Sequence, residues 1–365
     1  MNPAPLADLR AADCDLSAET TDHLQTLSEQ LPTLLANRTS RAVLDKLPIY
    51  NFDSLHEQSD FRLTERYYQL YAHFAQAYVW AEEDNPTKHI PVGVAVPLVA
   101  LAHMVERPPI IVYANTALSN WQKIDPDGEI VVDNLRVVQK LIDIPDESWF
   151  HLTHVEIEAI GGDALAGCFA ATEAVENGDG VSAENALLQI ADALARMHTS
   201  FRQITKGCSP NIYYHTLRPF LFGFDDIVYE GVTEFQGKPQ TLRGETGAQS
   251  TLIPAVQNYL GLQHAHGGLS EHLEIMKGYM PKPHRELLAS IDQTHIRSWV
   301  AKQSSQNVRD AYNLCLHRVV EFRTLHLNYA HAYIASKVKD PRGTGGTEFM
   351  RWLKQLRDET AAQYL

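Results

Sequence analysis

Val308, Tyr312, Cys315, Val319, Phe322, His326, Tyr329 and Tyr333 recur at alternating steps of four and three. That spacing puts all of them on one face of a helix. His326 is the one strongly basic group on the stripe. A buried imidazole fits two roles, a satisfied core residue or an axial donor to iron through a neutral ring nitrogen. Spacing does not separate them. Arg218 lies in NIYYHTLRPFLFGF, a strongly aromatic and apolar segment. Arginine keeps its charge when buried and needs an anionic partner. That partner is either one of the chain's own acids or a ligand carboxylate, clamped bidentately while Tyr213 and Tyr214 stack on an apolar body.

Other arrangements are weaker. Residues 339–347 read KDPRGTGGT. This suits a linker, a helix entry or a lid with glycine hinges. The absence of G-K-[ST], and a helix where a strand belongs, count against a phosphate cradle. His151, His154 and Glu158 have the i, i+3, i+7 spacing of a two-histidine, one-carboxylate iron site, and His264-Ala265-His266 is a second pair. No G-x-S-x-G elbow, H-E-x-x-H or Rossmann fingerprint occurs.

Helices must position these groups. Apolar spacing predicts helices over 20–36, 64–82, 183–204 with Ser182 as N-cap, 249–260, 270–278 and 307–337, and a long helical stretch from about 147. IIVYA (Ile110 to Ala114) reads as strand or buried helix. EIVV, after the Asp125-Pro126-Asp127-Gly128 turn, reads as a small strand. The expected fold is mainly α, with minor β. Residues 1–140 form a smaller N-terminal domain and 141–365 a larger helical one.

The 365 residues carry a net charge of −14. This argues against nucleic acid and an anionic membrane surface as partners. The N-terminus lacks the apolar core of a signal peptide, and no run of about 18 apolar residues occurs. Four cysteines stand singly (Cys14, Cys168, Cys208 and Cys315), which fits a reducing, cytoplasmic setting and excludes C-x-x-C chemistry.

From about residue 60 to the end, the chain resembles the indoleamine 2,3-dioxygenases. The phrases that carry the resemblance are AYVWAEEDNPTKHIPVGVAVP, PPIIVYANTALSNWQKIDP, LRPFLFGF, VYEGV, GAQS, YMPKPHRELL, FRTLHLNYAHAYI and GTGGTEFMRWLKQLRDET. The brief link between Lys337 and Gly343 is similar to that of a bacterial member. The resemblance implies a haem b cofactor in an all-helical large domain capped by a small N-terminal domain. It also implies cleavage of the indole C2–C3 bond of L-tryptophan by dioxygen, giving N-formylkynurenine.

Carried over residue by residue, it implies that His326 is the proximal iron ligand and Arg323 stands near a haem propionate. Arg218 holds the substrate carboxylate, with Tyr213 and Tyr214 where the family has two phenylalanines. Tyr113, Thr116 and Ala117 belong to the indole pocket, Thr246 stands beside the haem, and Thr344 lies near the substrate's amino and carboxylate groups. Three departures accompany it. The distal serine position falls on Leu152, so that a register slip would bring His151 to the iron. An aspartate of the proximal network is Gln257. The paired tyrosines narrow or polarise the pocket. Two alternatives stay open: a haem enzyme acting on a modified indole in secondary metabolism, or a haem protein that binds oxygen without turnover. The oligomeric state is open as well.

Overall fold

The computed structural model describes residues 18–57, 61–82, 85–291, 296–338 and 349–365. Helices carry most of them, as the sequence analysis expects, and strands are few and short. The chain forms two compact units. One takes the described residues of Met1–Leu152 and Asn211–Gln249. The other takes those of Thr153–Pro210, Ser250–Gly343 and Thr347–Leu365. No described helix is long and apolar enough to cross a membrane.

In the first unit, α1 (Ala18–Ala36) and α3 (Val92–Met104) pack on α2 (Phe61–Val79). Nearly every residue of α2 from Leu63 to Val79 is buried. Its aromatic side is built of Tyr67, Tyr71 and Phe74, with Phe52 4.8 Å from Tyr67 and 5.5 Å from Tyr71 between ring centroids. Its other side is polar and also buried: Arg66, Gln69, His73 and Gln76 follow one another at three, four and three residues. Such groups need partners inside the protein, and two of them find theirs in the loops that matter below. Gln69 Nε2 donates to the Asn115 carbonyl at 2.8 Å, and Gln76 Nε2 to the Phe222 carbonyl at 2.7 Å.

Two small sheets complete this unit. β1 (His89–Ile90) pairs parallel with β4 (Phe224–Tyr229), which pairs antiparallel with β5 (Gln240–Leu242). β2 (Trp121–Lys123) pairs antiparallel with β3 (Leu135–Val137). The expected strand at EIVV is therefore displaced. Val132–Asn134 is a 3₁₀ turn, and the strand begins after it. Asn134 makes the difference: its side chain caps the preceding turn, bonding Asp125 N at 2.8 Å and the Glu129 carbonyl at 2.8 Å. IIVYA is neither strand nor α-helix. Ile110–Val112 belongs to no helix or strand, and a π-helical turn follows at Ala114–Leu118. The Tyr229 hydroxyl donates to the Pro109 carbonyl at 2.7 Å and fixes its start.

α4 (Pro145–Glu176) opens as its sequence dictates, with proline at the first helical position and Asp146 and Glu147 in the first turn. The buried Glu147 carboxylate accepts from the backbone N–H groups of Leu141 (2.7 Å), Ile142 (3.1 Å) and Asp143 (2.9 Å). This anchors the turn that precedes His151.

In the second unit, α5 (Gly180–Phe201) is capped by Asp179 rather than by Ser182. Asp179 Oδ1 accepts from the N–H groups of Val181 and Ser182 at 3.1 Å each, and Ser182 Oγ donates to Asp179 Oδ2 at 2.7 Å. The three-residue shift arises because an Asx cap serves the first free N–H groups, and Ser182 already sits inside the helix. α6 (Leu252–Tyr259), α7 (Gly268–Lys277) and α8 (Lys282–Ile291) follow. α9 (Gln306–Tyr333) runs between α5 and α10 (Phe349–Ala361).

Along the stripe of α9, Val308, Tyr312, Cys315, Val319 and Tyr333 are buried. The Cys315 thiol donates to the Leu187 carbonyl at 3.0 Å, and the Tyr312 hydroxyl to that of Leu260 at 2.8 Å. Phe322, His326 and Tyr329 keep part of their surface accessible. The stripe is buried toward both ends, with the three partly accessible residues between.

Candidate functional site

Each unit carries part of the candidate set. In the first, both segments that hold expected substrate residues are π-helical turns, Ala114–Leu118 and Tyr213–Leu217. A π-turn widens a helix by one residue, re-aims its side chains, and is frequent at functional sites. Tyr113 sits at the entrance of one turn and Arg218 at the exit of the other. Tyr113 is buried; its N–H donates to Gln249 Oε1 at 2.8 Å, and its carbonyl accepts from Thr116 Oγ1 at 3.0 Å. Thr116 also lies 3.3 Å from Glu245 Oε1.

Arg218 is 6 % exposed. Its guanidinium stacks over the rings of Phe222 (4.8 Å) and Tyr214 (5.3 Å), and burial pulls its pKa down. Tyr213 is buried, its ring 4.9 Å from that of Phe150. His151, next to Phe150, is buried as well. The turn after Arg218 lies against the segment carrying Glu245 and Thr246, with Glu245 N donating to the Leu221 carbonyl at 3.1 Å. Two glycines allow this approach. A Cβ on Gly244 would stand 2.3 Å from the Leu221 carbonyl oxygen and 2.5 Å from Gly223 N.

No role follows from the sequence for Glu245, Gln69 or Gln249, the last of which falls within GAQS. Burial raises the Glu245 carboxyl to about 7, against the Thr116 hydrogen bond, which lowers it. A carboxyl raised in the folded state favours the protonated protein, so its contribution to stability is present below about 4.5 and is lost as pH rises through about 7. Glu245→Gln is therefore expected to gain stability relative to the wild type at pH 8 and to gain least at pH 4, as read by denaturant midpoints. The polar side of α2 gives a second expectation. Gln69→Leu leaves the buried Asn115 carbonyl without its donor. The expected loss is about 1–3 kcal/mol of stability, with KM for the substrate raised as the Tyr113–Thr116 turn loosens.

In the second unit, the His326 ring contacts Phe201 edge-on at 5.9 Å, and Phe201 stacks on Phe322 at 5.2 Å. Burial pushes the His326 pKa down to about 4, helped by the neighbouring charges of His154 and Arg323. The ring is thus neutral across physiological pH. Neither ring nitrogen is hydrogen-bonded to another described residue, although the side chain keeps accessible surface. Arg323, one turn earlier, is 5 % exposed. Its Nη1 donates to the Leu356 carbonyl at 2.6 Å and to the Thr360 hydroxyl, and its Nη2 approaches His264 Nε2 at 3.5 Å. Burial lowers its pKa to about 9, with Glu359 opposing.

The other iron arrangements do not assemble. No three His, Cys, Asp or Glu side chains among the described residues are grouped to hold a metal ion. Glu158 accepts a hydrogen bond from Ser250 Oγ at 2.6 Å, and His264 is engaged by Glu359 while His266 is exposed. Thr246 is half-buried in its 3₁₀ approach, its Oγ1 3.4 Å from Ala248 N. Thr344 and the rest of 339–347 lie outside the described residues.

The profile of the indoleamine 2,3-dioxygenase family matches residues 11–342. Indoleamine 2,3-dioxygenase 1 of Rattus norvegicus is 28 % identical, over 92 % of this chain and 87 % of the relative. Indoleamine 2,3-dioxygenase of Saccharomyces cerevisiae is 29 % identical, over 91 % and 85 %. Indoleamine 2,3-dioxygenase nanC of Aspergillus nanangensis is 27 % identical, over 92 % and 88 %. A family match over most of the chain, joined to a mainly helical fold, gives the conclusion: the chain belongs to the indoleamine 2,3-dioxygenase family and is an oxidoreductase of the dioxygenase type.

Proposed function

We propose that the protein is a haem-dependent dioxygenase that opens the indole C2–C3 bond of L-tryptophan with dioxygen to give N-formylkynurenine, in a cytoplasmic route of tryptophan catabolism. The observation that carries this reading is His326. It is a partly buried, neutral imidazole with accessible surface and no hydrogen bond to another described residue. A neutral ring that keeps accessible surface and no protein partner has a nitrogen free to donate, and an unprotonated ring nitrogen is the donor that haem iron takes. Arg323 fits the acidic edge of the same cofactor. It is a buried cation whose close partners are a carbonyl, a hydroxyl and an imidazole, and no described carboxylate pairs with it directly. Haem b, held without a covalent link, agrees with a sequence that lacks C-x-x-C-H.

When bound, the haem would supply the iron at which dioxygen becomes reactive; the chain's own residues supply binding and orientation. Arg218 would hold the substrate carboxylate, its guanidinium kept flat by Phe222 and Tyr214. Tyr213 and Tyr113 would flank the indole, Thr116 would supply a polar contact at its border, and Thr246 would stand beside the haem. Thr344 holds the position that the family resemblance puts near the substrate's amino and carboxylate groups. His151 would be a polar neighbour on the oxygen side. No side chain has to abstract a proton for this reaction.

A second reading is favoured by the tyrosines at 213 and 214 and by the buried Glu245 carboxyl beside Thr116. They make the pocket more polar than an all-apolar indole slot, which suits an indole bearing an extra polar group. Turnover in labelled dioxygen tests both. The proposal expects a product of L-tryptophan that carries two labelled oxygen atoms. A product with one labelled atom, or no product from tryptophan but a doubly labelled one from a hydroxylated tryptophan, rejects tryptophan cleavage, and the latter result selects the second reading.

A further inference from the structure

The aspartate that the family resemblance places in the proximal network is Gln257 here, on α6, and its side chain makes no hydrogen bond to a described residue. The anion near Arg323 comes from elsewhere. His264 Nδ1 lies 2.7 Å from Glu359 Oε2. A carboxylate only accepts, so Nδ1 carries the proton and Nε2 keeps its lone pair. That lone pair meets Arg323 Nη2 at 3.5 Å. The carboxylate is fixed at its other oxygen as well, because Gln355 Nε2 donates to Oε1 at 2.8 Å. α10 holds the guanidinium a second time through the Leu356 carbonyl and Thr360. Gln263 and Gln363 tie the two ends of the arrangement: Gln263 N donates to Gln363 Oε1 at 2.9 Å, and Gln363 Nε2 to the Gln263 carbonyl at 2.8 Å. One carboxylate, one imidazole and one guanidinium therefore form a line that ends one helical turn from His326.

We propose that Glu359 and His264 are positioning residues that hold Arg323 and supply the negative charge setting the reduction potential of iron bound at His326. The inference rests on the haem reading above. Glu359 contributes a full charge, relayed through a neutral ring, where Gln257 contributes none. Removing that charge lowers the negative charge around Arg323 and the iron and favours the reduced, less positive metal. At the distances of two or three side chains and an effective dielectric intermediate between protein and water, the expected effect is about threefold or more in the ferric–ferrous equilibrium.

The test is a spectroelectrochemical titration of the haem-loaded wild type, Glu359→Gln and Glu359→Asp, with thermal unfolding alongside. Glu359→Gln keeps the shape and the bond from His264, and the Gln355 amide can turn to accept from the new NH2; Glu359 is also partly exposed, so this variant should unfold at nearly the wild-type temperature. Its midpoint potential should move upward, while Glu359→Asp, which keeps the charge, should stay near the wild type. An unchanged potential in Glu359→Gln, or an equal shift in Glu359→Asp, overturns the relay. A wild type that takes up no haem overturns the cofactor reading instead, and the two failures are distinguishable because the Soret band reports the second before any potential is measured.

Discussion

His326→Ala, produced with haem supplied, is expected to carry no stable Soret band, whereas the wild type carries one. The physical argument is local. Haem without a covalent thioether link depends on its axial bond and on burial, and His326 is the one imidazole on the apolar stripe of α9. Its ring is already neutral, because burial holds its pKa near 4, so ligation requires no proton to be expelled at pH 6–8. Phe201 contacts the ring edge-on and is itself stacked on Phe322, and a preset donor loses little freedom on binding. His326→Gly extends the test, since added imidazole should restore a Soret band in the space the ring vacates. Full haem retention by His326→Ala would refute the ligand assignment.

The second large effect is expected at Arg218. Truncation to alanine removes a charge-assisted contact to the substrate carboxylate, at roughly 2–5 kcal/mol for breaking a buried charge pair. At 1.36 kcal/mol per tenfold this is about 30- to 5000-fold in kcat/KM. Arg218→Lys should recover only part of it. The planar guanidinium is held between Phe222 and Tyr214, and an ammonium neither stacks nor forks in that way. The loss should largely disappear when tryptophan is compared with an indole that has no carboxylate. A kcat/KM for tryptophan that is unchanged in Arg218→Ala would remove the clamp from the account.

Helix periodicity made α9 and its stripe legible, because a single face buried along α5 leaves a 3.6-residue signature. The aromatic surroundings of Arg218 were legible for a similar reason, since a lone charge among apolar residues stands out. What stayed hidden depends on contacts distant in sequence. The polar side of α2 looks like a solvated face in the sequence, yet Gln69 and Gln76 are buried against loops 46 and 146 residues away. The π-turns at Ala114–Leu118 and Tyr213–Leu217 have no propensity signal of their own. Ser182 attracted the cap assignment because serine is a good cap, but Asp179 stands where the first free N–H groups point. His264 and Glu359 are 95 residues apart, and only the packing of α10 on α9 brings their pair to Arg323.

One anaerobic cuvette of reduced, haem-loaded protein, given L-tryptophan and then air, tests the central claim most directly. Growth of the near-ultraviolet absorbance of N-formylkynurenine, with consumption of tryptophan and dioxygen in equal amounts, is the predicted result. A Soret band that responds to oxygen while tryptophan remains intact would contradict tryptophan cleavage and leave a modified indole or an oxygen-binding role in its place.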